Sequence, residues 1–171
     1  GRDLLSQIIY KGKVMYCIDK MLSNTSLTNK FRFTQEQMDW VIDNESNIWT
    51  YFIENDLLYS SHEQDFRTFL HYAPFSKGMP NDSPARVAYF IGYKMVNEFI
   101  DRTEIPIEAM MKLRDSRQFL KLSKYKYLNG DLSLIHSLAT RLPSPSFWVI
   151  LFLIVTGCAS RSVTNNENTE L

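Results

Sequence analysis

The sequence predicts an all-α fold: a compact helical domain over residues 1–127, followed by an apolar tail over residues 128–171. Three observations carry this reading. Long segments repeat their apolar residues at helical spacing, capping residues stand in front of them, and no segment alternates apolar and polar residues as a half-buried strand would. With 171 residues, 44% of them hydrophobic and 13% aromatic, the chain has enough apolar surface for a real core.

The first helix is expected over residues 3–22, DLLSQIIYKGKVMYCIDKML, where apolar side chains at 4, 5, 8, 9, 15, 16 and 22 form one wide face. The stretch SNTSLTNKFRF is turn-rich and ends at Thr34. With Gln37 three residues later, Thr34 makes a capping-box signature for a second helix over residues 35–57. Its apolar face collects Met38, Val41, Ile42, Trp49, Phe52 and Ile53. A short helix covers HEQDFRTFL, and APFSKGMPND reads as a Pro/Gly loop. Ser83 as cap and Pro84 in the first turn predict a third long helix over residues 84–102. Two short helices complete the set, IEAMMKL after Pro106 and RQFLKL capped by Asp115 or Ser116.

After Tyr127 the composition changes, and only Asp131, Arg141, Arg161, Glu167 and Glu170 carry charge. Phe147 to Thr156 is a short apolar run that suits the hydrophobic region of an export signal and falls well below the roughly 20 residues a transmembrane helix needs. Val155-Thr156-Gly157-Cys158 resembles a bacterial lipobox, so Cys158 is a lipidation candidate if segment 147–160 is a true signal. A signal this late cannot serve the residues before it. The tail therefore reads as read-through or fusion into another lipoprotein's signal region, and the chain, which opens at Gly1-Arg2, reads as a fragment.

The 19 basic and 19 acidic residues cancel, so charge points neither to nucleic acid nor to an anionic membrane surface. Cys17 and Cys158 are not expected to pair. His62, His71 and His136 form no HExxH, and there is no GxSxG and no Gly-rich phosphate loop. The expectation is a domain without cofactor, metal or catalytic residues.

Four residues, Glu45, Arg86, Tyr93 and Asn97, are candidates for contact with a partner or ligand. On a continuous second helix Glu45 falls in the centre of the apolar stripe, where an uncompensated carboxylate is costly. It should be paired, protonated or at the edge of a cleft. Asp19 lies similarly within the stripe of the first helix, near its end. On the third helix Ala88, Ile91, Gly92, Met95 and Phe99 form the packing face, and the opposite face lines up Arg86, Phe90, Tyr93, Lys94 and Asn97. Arg86 would stand in a first turn, where the helix dipole disfavours a cation. Mutual pairing of Glu45 and Arg86 would account for both charges. Gly92 costs the helix roughly 1 kcal/mol relative to Ala, which close helix–helix approach would justify.

The stretches LLSQIIYKGKVMY, NESNIWTYFIENDLLYS, APFSKGMPNDSPARVAYFIGYKMVNEF and SKYK resemble, in that order, the C-terminal half of the gliding-motility lipoprotein GldB family of Bacteroidetes. The resemblance covers Leu4 to Lys126. Family members tend to have Pro-Gly-Arg at Pro84-Ala85-Arg86 and Gly-Trp at Gly92-Tyr93. It implies a helical fold related to zincin-like metallopeptidases, in a cell-envelope lipoprotein that supports gliding and the associated secretion machinery. The implied partners are proteins of that machinery, with membrane association through a lipid anchor of the full-length protein. In the peptidase relatives the zinc-binding helix lies upstream of the matched part, so no metal ligand carries over. The competing reading is the substrate-side subdomain of a zinc peptidase, with Glu45, Arg86 and Tyr93 lining a cleft.

Overall fold

The computed structural model describes residues 1–125, among which there are eight helices and no strand. They are α1 (Leu4–Met21), α2 (Leu27–Phe31), α3 (Gln35–Asp43), α4 (Glu45–Glu54), α5 (Glu63–Leu70), α6 (Val87–Thr103), α7 (Ile107–Lys112) and α8 (Ser116–Ser123). The tail and its signal-like segment lie outside the described residues.

Helix α1 is capped by Asp3, whose carboxylate accepts from Ser6 N at 2.8 Å. The N–H groups of Leu4 and Leu5, which have no partner within the helix, donate to the carbonyls of Ser60 and Leu58. The first turn is thereby sewn to the loop between α4 and α5. Thr34 and Gln37 form the expected capping box of α3, and Asp115 accepts from Arg117 N and Gln118 N at the start of α8.

The core is built around α6, whose most extensive contact is with α1, followed by α8 and α5. Val87, Ala88, Ile91, Met95, Val96 and Phe99 are fully buried, as are Leu4, Leu5 and Ile8 of α1. Where the two helices cross, Gly92 meets Gly12. A Cβ on Gly92 would collide with Ile8 O and lie 2.9 Å from Gly12 N, and one on Gly12 would collide with Gly92 C and O. The helices approach backbone to backbone, which only glycine allows. At the far end Phe99 stacks on Phe119 of α8 at 4.0 Å, and Phe52 of α4 meets Phe69 of α5 at 5.1 Å.

Two expected helices differ. The second is interrupted at Asn44 (φ −104°, ψ 14°), whose side-chain amide donates to Trp40 O. An Asn that bonds the backbone of the preceding turn competes with regular helix geometry. The face therefore changes phase between α3 and α4, leaving Ile42 51% and Ile53 48% exposed while Met38, Val41, Trp49 and Phe52 stay buried. The third helix begins at Val87 rather than at Pro84. Ser83 Oγ accepts from Ser76 N, Ser76 Oγ donates to Pro84 O, and Arg86 N donates to Thr68 O. Loop bonds claim the residues read as cap and first turn. The stretch read as turn-rich also contains the five-residue α2, capped by Ser26. No described helix is long and apolar enough to cross a membrane.

Candidate functional site

The four residues singled out in the sequence lie just before α6 (Arg86), along it (Tyr93 and Asn97) and at the start of α4 (Glu45), and each meets a different neighbour. Arg86 precedes α6 in the left-handed region (φ 63°, ψ 24°), a conformation costly for a residue with a Cβ. Its guanidinium is buried and donates to Phe31 O at 2.8 Å and Arg32 O at 3.3 Å. These carbonyls close α2, so the cation sits at the negative end of one helix, not at the positive end of its own. Tyr72 covers it at 4.2 Å, with the rings of Phe33 and Tyr89 at 5.4 and 5.5 Å. A desolvated guanidinium held by two carbonyls and three rings is a strong local tie.

Tyr93 donates its phenol to Asp19 Oδ2 at 3.2 Å, and Lys30 reaches Asp19 Oδ1 at 2.7 Å. The Lys30 side chain is only 3% exposed. The group joins α1, α2 and α6. The hydrogen bond from Lys30 holds the Asp19 carboxyl below the usual carboxylate range, with Tyr93 adding to the effect. Burial, then the Asp19 charge, pushes the Tyr93 phenol up. Asn97 donates to Tyr93 O one turn back, which keeps its amide on its own helix.

Glu45 does not pair with Arg86. Its Oε1 accepts from the Tyr125 phenol at 2.8 Å, and its Oε2 lies 3.5 Å from Lys94 Nζ. Both premises of that pairing change with the structure. Because the helix restarts after Asn44, Glu45 occupies the first turn of α4, where a carboxylate is favoured by the dipole, and Arg86 is satisfied by carbonyls. Tyr125 packs edge-on to Trp49 at 5.1 Å. Burial first, and the Glu45 charge second, push its phenol well above the usual range.

Chemically these groups offer fixed charges and phenols that hold their protons. Among the described residues no three His, Cys, Asp or Glu side chains come together to hold a metal ion. Cys158 lies outside the described residues.

Sequence reasoning missed Lys13, Lys30 and Tyr125. Lys13 is 5% exposed and donates at 2.7 Å to both Met110 O and Leu113 O at the end of α7. Burial pushes its ammonium below the usual lysine range. The signal was present: Ile9, Lys13 and Tyr16 fall at helical spacing on the apolar face. Lys30 and Tyr125 carry no comparable local signal, because their partners are fixed by the tertiary fold.

No curated protein and no solved structure matches the chain. A family model does match it, that of the gliding motility protein GldB, over residues 1–127. The chain thus belongs to the GldB family of gliding motility proteins.

Proposed function

We propose that this domain is a non-catalytic part of a cell-envelope lipoprotein of the Bacteroidetes type, supporting gliding motility and the associated protein secretion by binding other components of that machinery. The observation that carries the reading is the family match over the helical domain. Its non-catalytic character is supported by how the polar residues are used. Arg86 serves two backbone carbonyls, Asp19 an ammonium and a phenol, and Glu45 a phenol and Lys94. Such groups fasten helices together. On this reading the domain is the C-terminal half of a zincin-like fold that lacks the peptidase ligands, and the full-length protein reaches the membrane through its lipid anchor.

Deleting the gene should abolish colony spreading and the secretion that accompanies it, and the wild-type copy should restore both. Normal spreading in the deletion strain would remove the motility role. Zinc-dependent, chelator-sensitive cleavage of peptides that follows the protein through purification would remove the non-catalytic one.

A further inference from the structure

A cavity of about 340 Å³ opens between α1 and the α7–α8 turn, and none of Glu45, Arg86, Tyr93 and Asn97 lines it. Its apolar wall comes from Ile9, Tyr10, Met111 and Leu113, and its cations are Lys13 and Arg114. Lys13 is a buried ammonium with three donors. Two of them are taken by Met110 O and Leu113 O, the ammonium also lies 5.0 Å from the centre of the Phe119 ring, and no further oxygen among the described residues takes the third donor. The one carboxylate on the rim, Asp115, is turned to the start of α8, where it accepts from Arg117 N and Gln118 N. Ser6 and Ser116, whose hydroxyls bond each other at 3.2 Å, complete the polar side.

A pocket with an apolar wall and an excess of positive charge selects an anion attached to an apolar body. A carboxylate suits an ammonium and a guanidinium, because charge-assisted hydrogen bonds are short and strong. The volume lies at the small end for ligand sites, which run from about 300 to 1,000 Å³, and so favours one residue over a long acyl chain. We propose that this pocket binds the C-terminal residue of a partner polypeptide: its free carboxylate on Lys13 and Arg114, and an apolar side chain against Ile9, Met111 and Leu113. This deepens the partner-binding reading above, but the test reads the pocket alone, so a negative result leaves the motility role standing.

The full chain, labelled with ¹⁵N, is titrated with N-acetyl-leucine, N-acetyl-leucine amide and decanoate. N-acetyl-leucine should shift the amide signals of Ile9, Tyr10, Lys13 and Met111 to Arg114, and the amide should bind about tenfold more weakly for want of the charge. Arg114→Glu and Met111→Glu change exposed side chains, so the domain stays folded, and each should cut binding of the acid about tenfold or more. Lys13→Met, where it folds, should abolish the preference for acid over amide. Equal binding of acid and amide, shifts elsewhere on the domain, or no binding at millimolar concentration overturns the proposal. Tighter binding of decanoate than of N-acetyl-leucine overturns it in favour of an amphiphilic lipid acid.

Discussion

Replacing Gly92 by Ala sets two effects of opposite sign against each other. In an isolated helix the change is favourable by roughly 1 kcal/mol, because Ala loses less backbone entropy than Gly. Within the domain the new methyl meets backbone: it collides with Ile8 O and stands 2.9 Å from Gly12 N and 3.0 Å from Gly12 Cα. Backbone atoms of a helix cannot rotate away as a side chain can, so α1 and α6 must separate. A gap of roughly 0.5–1 Å forfeits a quarter to a half of the dispersion energy at each affected contact, and those contacts involve the fully buried Leu5, Ile8, Ala88, Ile91 and Met95. Overpacking of a tight core costs about 1–3 kcal/mol and occasionally more, and this site belongs at the upper end. After the propensity gain the expected net loss is about 2 kcal/mol, a fall in Tm of about 4–8 °C. Gly12→Ala should behave alike, since its Cβ collides with Gly92 C and O. The double variant should cost less than the sum, because one separation relieves both collisions. Urea unfolding followed by far-UV circular dichroism measures all three. A higher midpoint for Gly92→Ala would refute the reasoning, since propensity would then outweigh contact.

Arg86→Ala should cost about 2–3 kcal/mol, since it strips two carbonyls of a charged donor. Glu45→Gln should cost about 1 kcal/mol, and the two should add within about 0.5 kcal/mol in urea melts because the groups share no partner; strong coupling would contradict the geometry. Asp19 has a folded pKa below its ordinary 3.8, so its contribution is present above that value and lost as pH falls through the folded pKa. Asp19→Asn should therefore flatten the loss of stability measured below about pH 4, and an unchanged acid profile would remove that role. Tyr125 has a folded pKa well above its ordinary 10.0, so it contributes fully below pH 10 and less as pH rises beyond. Alkaline unfolding should be shallower in Tyr125→Phe, and an equal slope would show that the phenol is not protected.

The long helices were legible because their information is local: the Thr34 and Gln37 capping box and the apolar spacing of α1 and α6 act within a turn or two. Gly92 was legible too, since a glycine inside a strong helix needs a reason. The break at Asn44 was weakly marked by the run DNESN, whose Asp, Asn and Ser are mediocre in helix interiors. Reading through it placed Glu45 on the wrong phase. The start of α6 was illegible for a different reason. Ser83 and Pro84 are good capping residues, but Ser76 and Thr68 bind that segment from outside, and no local pattern announces such bonds. Arg86 and Glu45 were picked out as charges needing partners, and the structure gives them partners while removing the premises that picked them. The partners were not deducible, because a carbonyl looks the same at every position of a sequence.

The reach of these bonds has a consequence for how the chain is made. Lys13 finds its carbonyls 97 and 100 positions later, Asp19 its phenol 74 later and Glu45 its phenol 80 later. Helical domains usually draw on near neighbours and fold fast, whereas distant pairings exact loop-closure entropy before they reward it. At a synthesis rate of about 5–20 residues per second, the first helix waits about 5–20 s for the segment that receives its buried ammonium. Until α6 is made the apolar stripe of α1 lacks its main partner, and until α7 is made Lys13 lacks its carbonyls, so nascent chains cut short before α7 are natural clients for chaperones and proteases.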